Sequence, residues 1–363
     1  MLEEMKKLDR RNFVKSAAVG VASVAFAPAI VKAEQRFRWK LVTSWPPRYP
    51  VFQEAAELFA KKVKQATNGR LSFKVFAGGE LIPPLGVFDA VSAGNAEAGS
   101  SYPGYWAGKI AAAQIFAGVP FGMNAQQSSA WMIAGGGYEL WEEVYRPFNL
   151  VPLTQGFTGI QGAGWFRKEI KTVADLKGLK IRIPGLAGKV MERAGANVVL
   201  MPGGELYTAL ERGTIDATEW GGPYLDTRLG LERTAPYNYY PGWHEAGGHI
   251  ELLFNKDAWE SLPEDFQAIV RAVSAEVAAW SLATLDSKNS EYLEKLKGNS
   301  KVELKVLPKP VVSHLKRLTG EVLKETADND AQFKKVLSSY QAFQGRVHEW
   351  FTIGEQAYMD ALS

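Results

Sequence analysis

The stretch "ALERGTIDATEWGGPY", residues 209–224, decides the fold. It reads as the end of a helix, a glycine stop at Gly213, a short strand that runs out at Glu219-Trp220, and a Gly-Gly-Pro turn. Residues 90–98, "AVSAGNAEA", repeat its first part: Ala, an apolar residue, two others, Gly, one other, an apolar residue, an acid, Ala. After the strand, one copy leads to Ser101-Tyr102 and then Tyr105-Trp106. The other leads to Glu219-Trp220 and then Tyr224. Chance similarity over so short a stretch is the alternative. A structural repeat implies two similar lobes whose strand ends face one crevice, where open α/β sheets bind ligands. Glu219-Trp220 then stands on a cleft wall.

The flanking sequence supports alternating strands and helices. "FRWKLVTSW" (37–45) and "RLSFKVFAGGEL" (70–81) have strand patterns. "VFQEAAELFAKKVKQATNG" (51–69) has helical spacing and ends at Gly69. Residues 126–146 look helical, and "GLKIRIPG" (178–185) reads as the strand of a βα unit. Such alternation argues for parallel α/β sheets. Beyond "HIELLFN" (249–255) the chain turns helical, over 263–297, 311–327 and 331–362, with a late strand "KVELKVLP" (301–308). The spacing in the last helix predicts that Phe333, Tyr340, Phe343, Trp350, Phe351 and Tyr358 are exposed. Such a helix braces both lobes or packs on a partner chain.

Residues 1–33 carry a basic region with Arg10-Arg11, Phe13 and Lys15, an Ala/Val-rich stretch to Val31, and a small-residue cleavage site at Val31-Lys32-Ala33. This is the pattern of a signal peptide for twin-arginine export, and its apolar run is too short for a stable membrane span. Of 42 Lys/Arg and 39 Asp/Glu, six and three lie in this segment, which leaves 36 of each. A neutral remainder gives no case for nucleic acid or an anionic membrane as partner. With no cysteine, neither disulfides nor thiolate metal sites are possible.

Enzyme signatures fail on spacing. In "HEAGGH" (244–249) the histidines stand five apart, and Gly247-Gly248 would break the helix a zinc protease needs. "GFTGIQGAG" (156–164) lacks the dinucleotide spacing, and no Gly-x-Ser-x-Gly elbow exists.

"GAGWF" (162–166), "VADLKGLKIRIPG" (173–185), "VMERAGA" (190–196) and "LYTALERGTIDATEW" (206–220) together resemble the substrate-binding proteins of tripartite ATP-independent periplasmic (TRAP) transporters. "YYPGWHEAGGHIELLFNKDAWESLP" (239–263) is similar to the branch that binds 2-oxo acids or lactate. The resemblance, from about residue 36 to the C-terminus, implies an α/β, two-lobe, type II-like periplasmic binding protein fold with long C-terminal helices. Its implied parts are the signal peptide 1–33, lobe I over 34–156 plus 249–285, lobe II over 157–248 plus 286–330, and a dimerisation helix at 331–363. The implied role is a non-enzymatic periplasmic receptor that passes a small organic carboxylate to TRAP membrane subunits.

The resemblance also implies site residues. Arg182 matches the family arginine that clamps the ligand carboxylate, a fork-to-carboxylate contact suited to a dry cleft; a sheet-edge arginine is the alternative. Gln161, Glu219, the Trp220 carbonyl and Glu245 match the protein ligands of a metal ion that the substrate also touches. All are oxygen donors, which suit Na⁺ or Ca²⁺. The alternatives are a lone rim carboxylate for Glu219 and lobe packing for Trp220. Tyr102, Tyr105 and Trp106 would form the opposite wall. Phe157 replaces a family asparagine four residues before Gln161, which implies a more apolar pocket or a different ligand. Another organic acid, such as a sugar acid or dicarboxylate, or a secreted enzyme of similar fold, remains an alternative.

Overall fold

Apolar residues inside short extended runs build two mixed sheets in the computed structural model, which describes residues 35–362. The proposed signal peptide lies outside the described residues. The strands are β1 (Phe37–Thr43), β2 (Leu71–Phe76), β3 (Ala98–Ser101), β4 (Leu150–Phe157), β5 (Gly164–Phe166), β6 (Lys180–Arg182), β7 (Asn197–Val199), β8 (Ala217–Thr218), β9 (Tyr237–Tyr240), β10 (His249–Asn255) and β11 (Glu303–Val306). The first sheet has the order β2-β1-β3-β10-β4 and the second β11-β9-β5-β8-β6-β7.

The internal repeat is structural. In the first sheet β3 lies between a parallel neighbour, β1, and an antiparallel one, β10. In the second, β8 lies between parallel β6 and antiparallel β5. The glycines that end the preceding helices match as well: Gly94 has φ 73° and Gly213 φ 71°, a left-handed conformation that glycine adopts without a side-chain clash. Read outward from the repeated strand, β2-β1-β3-β10-β4 and β7-β6-β8-β5-β9 are one arrangement used twice, with β11 added at the second sheet's edge.

Three segments join the two halves. Two are the crossovers from β4 to β5 and from β9 to β10, which bond to each other: Thr158 N donates to the Gly248 carbonyl (2.9 Å), Gly248 N to Thr158 Oγ1 (3.0 Å) and Gly242 N to the Gln161 carbonyl (2.9 Å). The third is the helix Glu264–Lys297. Its early residues Phe266, Val270, Val273 and Val277 pack in the first sheet's core with Phe59 and Phe254. Its later residues Leu285 and Leu296 pack in the cluster that holds Trp165, Leu210 and Leu225.

Residues 126–146 are helical in two pieces. Ala125–Ala134 and Gly137–Tyr145 are separated at Gly135-Gly136, where Gly136 takes φ 84°. The last helix, Ala331–Phe351, is not a free aromatic rod. Phe333 and Tyr340 are buried; the Tyr340 hydroxyl accepts from Met123 N at 2.7 Å and its ring meets Trp131 edge-on. Phe343 and Phe351 are half-buried. Only Trp350 and Tyr358 stand exposed as the spacing predicts. Helical periodicity shows which residues share a face, but not that other helices cover its first half.

Candidate functional site

Between the two sheets lies a cavity of about 290 Å³, lined by Trp45, Phe52, Tyr102, Tyr105, Thr158, Gln161, Arg182, Pro184, Glu219, Trp220, Glu245 and Ile250. Its position follows from the repeat, because β3 runs out into Tyr102 and Tyr105 and β8 into Glu219 and Trp220. The two crossovers supply Gln161 and Glu245. Each half of the chain and both crossovers thus contribute a wall.

Arg182 ends β6 and is 1% exposed. Its Nε donates to the Met201 carbonyl (3.3 Å), Nη1 to the Glu219 carbonyl (3.2 Å) and the Glu219 side chain, and Nη2 to the Tyr105 hydroxyl (3.3 Å). The guanidinium also lies 5.1 Å from the Trp220 ring centroid, within cation–π range. A buried cation needs such partners, and here they fix the orientation of its fork.

The acids of the site differ. Burial pushes the Glu219 carboxyl up, but the Arg182 guanidinium and the His244 ring more than offset this and hold it below the usual range. His244 Nε2 lies 3.4 Å from Glu219 Oε2 and 3.0 Å from Gln161 Oε1, so it ties the two together. Among the described residues Glu245 has no cation beside it; its side chain accepts from the Gln161 amide, and burial alone pushes its carboxyl well up. An uncompensated acid at a buried oxygen-rich wall is the environment that a hard cation would relieve. Among the described residues no cluster of three or more His, Cys, Asp or Glu could hold a metal. A cation here would therefore depend on amide and carbonyl oxygens as well.

The structure brings together Arg182, Gln161, Glu219, Trp220, Glu245, Tyr102 and Tyr105. It does not bring Phe157 or Trp106 to the cavity. The Phe157 ring turns toward His249 (centroids 4.9 Å apart) and packs with Ala125, Ala278 and Leu282, so the notion of a pocket made apolar by Phe157 is corrected. Trp106 turns the other way and donates its indole N–H to Glu251 Oε1 at 2.5 Å. Trp45, Phe52, Pro184 and Ile250 instead supply the apolar lining. Sequence reading missed these, and it rejected the zinc motif without assigning His244 a role. Their signal was weak: Trp45 and Phe52 flank the "PPRYPV" turn, which reads as a simple connection.

Comparison with known proteins gives a consistent picture. Residues 41–330 match the family model of the bacterial extracellular solute-binding proteins, family 7. A monocarboxylate 2-oxoacid-binding periplasmic protein of Nostoc sp. is 40% identical over 98% of this chain and 99% of its own. The crystal structure of a TRAP periplasmic solute-binding protein from Colwellia psychrerythraea, with bound calcium and pyruvate, matches with TM-score 0.88 and 40% identity over 90% of this chain and 100% of that one. A TRAP transporter solute-binding protein from Bordetella bronchiseptica RB50, a mixed-occupancy dimer with calcium and picolinate, matches with TM-score 0.88 and 36% identity over 90% of this chain and 97% of that one.

Proposed function

The chain belongs to family 7 of the bacterial extracellular solute-binding proteins, and from that premise we propose a TRAP receptor that closes on a small 2-oxo or 2-hydroxy monocarboxylate. The observation that carries this reading is Arg182, buried in the cleft with its fork paired to a carboxylate, that of Glu219. The same fork suits a ligand carboxylate. A calcium or sodium ion would be held by Gln161, Glu219, the Trp220 carbonyl and Glu245. When bound it would neutralise the two acids and supply a hard centre that a 2-oxo or 2-hydroxy carboxylate could chelate through two oxygens. Calcium with pyruvate in the Colwellia protein supports that reading.

The ligand's tail would face Trp45, Phe52 and Ile250, three buried apolar side chains of the lining. A short aliphatic 2-oxo acid fits this wall, and a second carboxylate would be left unpaired against it. The lining therefore favours monocarboxylates over dicarboxylates and sugar acids.

The two halves form lobes over 34–156 plus 249–285 and 157–248 plus 286–330, and residues 331–363 carry the contact of a homodimer. The protein acts in the periplasm, reached by twin-arginine export, hands its ligand to TRAP membrane subunits and carries out no reaction. The test is a panel of organic acids scored by ligand-induced melting shifts, with and without EDTA. Shifts confined to short 2-oxo and 2-hydroxy acids are expected, abolished by EDTA where the ion is calcium and by replacing sodium salts with N-methylglucamine where it is sodium. Shifts with dicarboxylates alone, or conversion of a ligand to product, would overturn the reading.

A further inference from the structure

The connection after β1 does more than join two elements. Trp45 and Phe52, at its ends, line the cavity. Tyr49, between them, sits outside the lining and is 4% exposed. Val51 has φ 61° and Arg48 φ 57°. For a β-branched residue a positive φ is a true outlier, and such strain persists where surrounding structure imposes it for a purpose.

What the turn presents is the Tyr49 hydroxyl. It accepts from Trp220 Nε1 at 2.7 Å and donates to the Leu225 carbonyl at 2.8 Å. The rings meet edge-on, centroids 6.0 Å apart. Tyr49 lies between β1 and β2 of the first sheet, whereas Trp220 and Leu225 follow β8 of the second. The contact therefore crosses the cleft. Trp220 is fixed on its other sides as well. A Cβ at Gly203 would come within 2.3 Å of its ring, and Arg182 stacks against it.

We propose that Tyr49 is the closure latch of the receptor, a positioning residue that locks Trp220, and through it the Arg182 clamp, once the halves meet over a ligand. This rests on the receptor reading above. In an open cleft, water can hydrate the indole N–H. In the closed one, the Tyr49 hydroxyl is its partner, so deleting that oxygen penalises the closed state alone. The turn thus serves both tasks: its ends shape the tail pocket and its middle sets how long the ligand stays.

The experiment compares wild type, Tyr49→Phe, Trp220→Phe and the double variant, using pyruvate with calcium chloride and stopped-flow dissociation. Tyr49→Phe is expected to keep the ligand-free melting temperature and the association rate, and to speed pyruvate release by about 10-fold. In the Trp220→Phe background, removing the hydroxyl should cost clearly less, because the bond to the indole is already gone and only the one to the Leu225 carbonyl remains to be lost. Wild-type release from Tyr49→Phe, or equal losses in both backgrounds, would overturn the latch while leaving the receptor reading intact. A wild-type protein that binds none of the short 2-oxo acids would overturn both.

Discussion

At the residue scale, the site rests on two charges that the chain treats differently. Arg182 is a satisfied cation: each nitrogen of its fork has a partner, and its place at the end of β6 is fixed by sheet hydrogen bonds. Truncating one member of a buried charge pair costs roughly 2–5 kcal/mol. Arg182→Ala should therefore weaken carboxylate binding by about 30-fold or more, and unchanged affinity by calorimetry would remove it from the clamp. Glu245 is the opposite case, an acid whose burial is uncompensated. Its raised carboxyl costs stability increasingly as pH climbs above the ordinary carboxylate range. Glu245→Gln should thus raise the melting temperature of the metal-free protein at neutral pH and weaken calcium and pyruvate binding together. A variant that destabilises the metal-free protein would show that the carboxylate supports the fold instead.

At the scale of elements, the turn carrying Tyr102 and Tyr105 is held from behind by β10. Glu251 on that strand accepts from the Trp106 indole and, at 2.8 Å, from the Tyr145 hydroxyl. Burial pushes its carboxyl up to about 8. The folded state therefore keeps a proton that the unfolded chain has already lost, so stability falls as pH rises between about 5 and 8, by up to about 1.4 kcal/mol per unit. Glu251→Gln should flatten that slope in melting curves recorded with EDTA; an unchanged slope would assign it to another acid. Much of this scaffold was legible in advance. The echo of residues 90–98 in 209–217 located both strands that end at the cleft, because a glycine stop followed by a buried strand is written locally. The family motifs located Arg182 and Glu219. What escaped was set by tertiary packing. Phe157 and Ile250 belong to strands that pair, yet Phe157 faces helix and histidine while Ile250 faces the cavity. On that ladder Phe157 lies opposite His249, one residue before Ile250, so strand alternation puts Phe157 and Ile250 on opposite faces.

At the scale of the whole molecule, the question is what covers the end of the chain. The helix Ala331–Phe351 begins as core, with Phe333, Val336, Leu337 and Tyr340 buried. It then continues through a π turn at Thr352–Gln356, which takes in Gly354, to Ala357–Leu362. Along that extension Trp350, Ile353, Tyr358, Met359 and Leu362 are each 60–69% exposed. Large apolar side chains gathered on one short segment mark an interaction surface. A second copy is the occupant we expect, and the mixed-occupancy dimer formed by the Bordetella relative supports it. Cutting the chain before the helix would not test this, since it would also strip Phe333 and Tyr340 from the core. Ending it after Val347 removes the exposed residues and spares the buried ones. The full-length protein without residues 1–33 should then run as a dimer in light scattering at micromolar concentration. The shortened one should run as a monomer that binds pyruvate with calcium at near wild-type affinity, because no lining residue lies beyond Ile250. A full-length monomer would leave the apolar extension for the membrane subunits to cover, and a shortened chain that still dimerises would move the contact to another face.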